Sequence, residues 1–383
     1  MQDVPLLKEH LAPAHTRFGL KLLRELARGE EGNVFVSPPS VAFALAMTYN
    51  GAGGETREAM ARALEVAGLR VEEVNAANAA WLAALRDPGA SVELTVANSL
   101  WVRDGVPVLP DFLQRTRDAY GAEATALDFG DPAAADTINA WVREQTRDRV
   151  PGIVQPPIDP QTFMFLINAV YFKGTWERPF SEELTEERPF TRADGSRVPV
   201  PMMSRTGAYP YLDGDGFRAV RLPYKGGRFT LEVLLPDEGS TLSGLVARLD
   251  AAAWEGWMEG YQPREVELAL PRFSLEYETE LNDALTALGM GAAFDARRAD
   301  FTGMVPREWL GTENAYISSV RHKTFLEVNE KGTEAAAATS VEMRVTSAGP
   351  PPVSFVVDRP FLLAIRDAET GTLLFLGAIA GPS

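Results

Sequence analysis

A mixed α/β fold of the α+β kind follows from three features of the chain. Apolar residues three and four apart recur through the first third. Strand-like runs rich in β-branched and aromatic residues appear from Ser91 onward between further helices, and one of those runs is apolar throughout. Both periods recur on either side of the first proline-rich break, so a single domain over residues 1–383 is expected rather than two.

The helical pattern covers residues 6–27, 41–49 and 74–85. Ser37 before Pro38 marks a helix start: the hydroxyl is expected to cap free amides, and proline suits the first turn, where its missing N–H costs nothing. GAGGET, at 51–56, lacks the lysine of a phosphate loop and reads as a turn. The strand runs are VELTVANSLWV, FMFLINAVYF, RFTLEVLLP and VELALPRFSL. FMFLINAVYF is apolar on both faces, which predicts an inner strand of a sheet covered on both sides. DGDG at 213–216 lacks the remaining ligands of a calcium loop and reads as a turn. The proline-rich stretches PGIVQPPIDP and GPPPV are too short and too apolar to be domain linkers.

Composition narrows the function. With 383 residues, 45% hydrophobic and 23% charged, the chain can bury a large core. A net charge of -16 argues against nucleic acid, heparin-like polymers and anionic membranes, which need a basic face. No cysteine is present, which removes disulfides, thiolate metal sites and cysteine nucleophiles, and leaves the compartment open. The first residues, MQDVPLLKEHLAP, lack the pattern of a secretory leader, so a soluble chain is expected, cytoplasmic or secreted with a leader removed. Three histidines, His10, His15 and His322, form no sequence cluster for catalysis or metal binding, and no cofactor is expected.

Residues 330–359 do not fit a compact core. Long connections without structure are usually functional. An alanine-rich helix ended by Gly349 is one reading of this stretch. Strand periodicity gives another: Thr333, Ala335, Ala337, Thr339, Val341 and Met343 share one face, while Glu334, Ala336, Ala338, Ser340, Glu342 and Arg344 share the other. Every charge falls on one side, so the segment suits an exposed loop in one state and an inserted strand in another. About ten added strand residues would release on the order of 10 kcal/mol, comparable with a whole domain's stability.

Six motifs, NVFVSPPSVAFALAMTYNGAGGET, NAVYFKGTW, LALPRFSLEYETELNDALTALGM, ADFTGM, VRHKTFLEVNEKGTEAAAATS and DRPFLLAIRDAETGTLLFLGAI, stand in the order and spacing of one family. On them the chain resembles the serpins over nearly its whole length. Lack of cysteine and abundant alanine, arginine, glycine and proline make it similar to bacterial members, thermophilic ones among them.

The resemblance implies a large central sheet, two smaller sheets, surrounding helices and an exposed reactive loop. It also implies a non-enzymatic suicide inhibitor of serine proteases, monomeric, that forms a covalent complex and inserts the cleaved loop into the central sheet. The family spacing from Glu330 puts the reactive bond between Thr346 and Ser347, with Met343, Arg344 and Val345 contributing to specificity. Thr346 suits chymotrypsin-like or elastase-like targets, while cleavage after Arg344 by a trypsin-like protease stays open. Glu330, Gly332, Thr333 and Ala335, Ala336, Ala337 and Ala338 match the hinge. Arg272 matches the basic partner of Glu330, and Trp176 the tryptophan below the point of insertion. Asn168, with His322 as its partner, and Ser37 and Ser40 match residues that control sheet opening. A non-inhibitory carrier or chaperone is the alternative. Heparin activation is not expected, because residues 66–86 carry scattered acids and only two arginines.

Overall fold

Residues 4–85, 89, 91–159, 162–310, 314–333 and 351–382 are described by a computed structural model. The helical first third forms as the periodicity predicts, with helices Ala12–Leu26, Pro38–Tyr49 and Val71–Leu85. Two local expectations are corrected. Ser37 is the N-cap residue and Pro38 opens the helix, but the Ser37 hydroxyl makes no cap bond. GAGGET is more than a turn, because its second half begins helix Gly54–Ala63. Gly54 takes φ +42, which glycine adopts without a Cβ clash, and so a pair that reads as a helix breaker becomes a helix start.

Strands follow in chain order. They are β1 Val34–Val36, β2 Val92–Arg103, β3 Glu123–Leu127, β4 Met164–Thr175, β5 Glu186–Thr191, β6 Arg197–Gly214, β7 Phe217–Pro223 and β8 Phe229–Pro236. Then come β9 Gln262–Pro271, β10 Phe273–Glu280, β11 Arg321–Val328, β12 Gly332–Thr333, β13 Val353–Val356, β14 Phe361–Asp367 and β15 Leu373–Ile379. The expected single run VELALPRFSL breaks at Arg272 into β9 and β10, which belong to different sheets. DGDG turns the chain from β6 into β7, as expected.

Among the described residues three sheets result: nine strands in the order β1-β15-β14-β8-β7-β6-β9-β13 with β5 on β6, four in the order β12-β4-β2-β3, and the pair β10-β11. β4, the run FMFLINAVYF, is an inner strand covered on both faces. On one face Phe172 meets Tyr224 and Phe229 with ring centroids 5.1 and 5.9 Å apart. On the other, Ile167 joins Ile138 and Val142 of helix Ala134–Gln145 in a separate apolar cluster. PGIVQPPIDP is no linker, since Ile153, Val154 and Ile158 are buried in that same cluster. Among the described residues, no helix is long and apolar enough to cross a membrane.

Candidate functional site

β11 packs beside β4, yet no ladder joins the two among the described residues: β11 pairs with β10, and β4 with β2 and β12. A seam therefore runs between two antiparallel ladders. At one end of it the chain leaves β11, makes a tight turn at Asn329, and returns as β12 against the end of β4, with Gly332 opposite Thr175 and Thr333 opposite Gly174.

This turn brings five of the expected residues together. Trp176, just past β4, is buried; its indole N–H donates to Asn329 O at 2.9 Å and its amide to Lys331 O at 3.0 Å. The indole stacks on Tyr224 at 4.6 Å, and the Tyr224 hydroxyl lies 2.7 Å from Thr333 Oγ1. Burial pushes the Tyr224 phenol up, which keeps its proton available for that hydrogen bond. Thr333 is 1% exposed, so its side chain is already seated in the protein. Gly332 has φ +155, and a Cβ there would lie 2.0 Å from Gly174 O; a Cβ on Gly174 would meet Tyr224 Cδ1 at 2.6 Å. Two glycines thus allow β12, β4 and the Tyr224 ring to approach one another.

Glu330 and Arg272 pair at 3.4 Å, with the carboxylate buried and the guanidinium half-exposed. The Glu330 side chain is 6% exposed and that of Arg272 50%. Thr185 Oγ1 donates to the same carboxylate oxygen at 2.7 Å, and Phe180 N–H donates to Glu330 O at 2.7 Å. A half-exposed ion pair contributes about 1 kcal/mol or less, whereas a short hydrogen bond to a charged group contributes about 1.5–3 kcal/mol. Thr185 is therefore the stronger anchor of Glu330. Lys331 adds a contact to Glu182 at 3.3 Å.

The second group lies about 20 Å farther down β11. His322 is buried, and its Nε2 accepts the Ser37 amide at 3.1 Å; Thr324 Oγ1 donates to Phe35 O at 2.8 Å. Both bonds moor β11 to the junction of β1 with helix Pro38–Tyr49. Burial pushes the His322 imidazole down to about 4. Ser40 is buried beside this junction, with no hydrogen-bond partner for its hydroxyl among the described residues. Asn168 stands in β4 opposite Asn98. Its side chain lies outside what the structure describes, as do Ala335, Ala336, Ala337, Ala338, Met343, Arg344, Val345, Thr346 and Ser347.

The sequence reading missed Tyr224, Thr185 and Gly174. No local pattern marks them, because their role comes from contacts with Thr333, Glu330 and Gly332.

The family model for Serpin (serine protease inhibitor) matches residues 13–382. The chain belongs to the serpin family. It is 36% identical over 386 residues to the leukocyte elastase inhibitor of Homo sapiens, covering 98% of this chain and 100% of that one. An uncharacterised serpin-like protein of Thermococcus kodakarensis is 38% identical over 373 residues, 95% of this chain and 84% of that protein. Among solved structures, the native state of tengpin, a thermophilic serpin, superposes with a TM-score of 0.88 at 30% identity, covering 96% of this serpin and 93% of tengpin. The serpin fold expected from the motifs is thus shown, and the kinship extends to thermophilic relatives.

Proposed function

We propose that this serpin is a suicide-substrate inhibitor of serine proteases, acting as a single domain and a monomer without enzymatic turnover. The protease serine attacks the Thr346 carbonyl, an acyl-enzyme ester forms, and the amine of Ser347 leaves. The freed segment beyond Thr333 then enters the seam between β4 and β11 and carries the bound protease with it.

One observation carries this reading: Gly332 and Thr333 are already paired with β4 at the end of a seam that no ladder closes among the described residues. The next residues alternate with their charges on one face, so insertion extends a strand that has already begun. Small side chains keep that extension free of clashes. Likeness to the leukocyte elastase inhibitor supports an elastase-like or chymotrypsin-like target, and Thr346 suits such a pocket. Helix Val71–Leu85 carries no lysine or arginine, which supports inhibition without heparin.

Incubation with chymotrypsin, elastase, subtilisin and trypsin, followed by denaturing gels, tests the proposal. A covalent complex is expected with at least one of the first three, together with a C-terminal fragment that begins at Ser347. Cleavage without a complex in every lane rejects inhibition of that panel and favours the carrier alternative. A fragment beginning at Val345 moves the reactive bond to Arg344.

A further inference from the structure

The outer face of β2 and β4 is crossed by helix Ala134–Gln145 and the return segment at 150–158. Ile138, Val142, Ile153 and Val154 bury there with Trp101 and Ile167, and Phe325 of β11 packs against the cluster. Between helix and return, Arg147 and Asp148 both adopt left-handed backbone, φ 52 and 62, a conformation that residues with a Cβ seldom take. It is held by Asp148 N–H to Arg143 O at 2.8 Å and Arg149 N–H to Thr146 O at 3.0 Å.

That short turn sends two guanidinium groups to opposite sides of the seam. Arg147 Nη1 meets Glu93 Oε2 of β2 at 2.5 Å, and its guanidinium lies 5.8 Å from the ring centre of Tyr171 on β4. Arg149 sits over Phe325 of β11, 5.7 Å from its ring centre. β2 and β4 share one ladder, and β11 belongs to another. An isolated exposed ion pair or cation–π contact contributes little. Here three such contacts hang from two arginines two residues apart on one turn, so parting the strands must break those on at least one side.

We infer that Arg147 and Arg149 are positioning residues that strap β4 to β11 and set how readily the seam parts. Its effect on inhibition rests on the insertion proposed above; the strap itself does not, because it acts in the intact protein.

Hydrogen exchange of peptides spanning 321–328, measured on the intact full chain at low salt, tests the strap directly. Arg147→Gln with Arg149→Gln is expected to accelerate exchange about three- to tenfold. Glu93→Gln should give a smaller acceleration, and lysine at both arginine positions should restore slow exchange. Salt at about 1 M, where the screening length falls to about 3 Å, should accelerate exchange in the parent chain and change little in the double glutamine variant. Unchanged exchange in that variant, or an equal salt response in both proteins, overturns the strap. Melting of the loop-cleaved chain reports separately on insertion: failure to gain stability there removes the proposed mechanism and leaves the exchange result standing.

Discussion

His322 accepts the Ser37 amide through Nε2, a bond that only an unprotonated nitrogen can make. Burial holds its folded pKa near 4, below the ordinary value of 6.5, and His15, also buried, is pushed down to about 3. As pH falls below 6.5 the unfolded chain takes up these protons first, so stability is full above that value and declines toward the folded pKa. By pH 5 each histidine should remove about 2 kcal/mol, before most carboxylates titrate. Melting measured from pH 7 to 5 should therefore fall steeply in the parent chain and less in His322→Gln, whose amide oxygen can accept the Ser37 N–H at any pH. Equal slopes would remove His322 from the account. This histidine was legible because a motif carries it. Tyr224 and Thr185 were not, since they meet Thr333 and Glu330 across 109 and 145 residues, and only the folded chain creates that proximity.

β12 is only two residues long, yet under the proposed insertion it would set the register in which the loop starts. Thr333 is buried against Tyr224, and a charged side chain there would need either an expensive desolvation or expulsion of the hinge from β4. Thr333→Arg should leave the loop cleavable but slow its insertion, turning the inhibitor into a substrate. The number of inhibitor molecules consumed per protease trapped should rise at least tenfold, and an unchanged ratio would reject Thr333 as the hinge. At this scale, periodicity located β2, β4, β8 and the run that holds β9 and β10, because a buried strand must display a continuous or alternating apolar pattern. It joined β9 and β10 in one run, although the apolar alternation changes phase at Arg272, from Val266, Leu268 and Leu270 to Phe273 and Leu275; the change of sheet itself depends on partners elsewhere. Helix Gly54–Ala63 was missed for a local reason, since the glycines that open it also resemble a turn.

The whole molecule combines an extensive core with a seam between two ladders, moored by His322 and Thr324 on one flank and fastened by the Glu330 turn at one end. If the loop becomes a strand in that seam, the intact form is not the most stable arrangement of the chain, and a barrier keeps it there. Each of about ten inserted residues can form ladder hydrogen bonds worth roughly 0.5–1.5 kcal/mol net, so the total gain is on the order of 10 kcal/mol. No such gain is available to a chain that is merely nicked, because cutting a peptide bond by itself adds no contacts. Scanning intact and loop-cleaved protein side by side at one heating rate separates the cases. The cleaved chain should melt at a far higher temperature, and its fragments should stay associated until it does. Equal melting would mean that the residues beyond Thr333 remain outside the sheet after cleavage, and the alternation of their side chains would then have no structural counterpart.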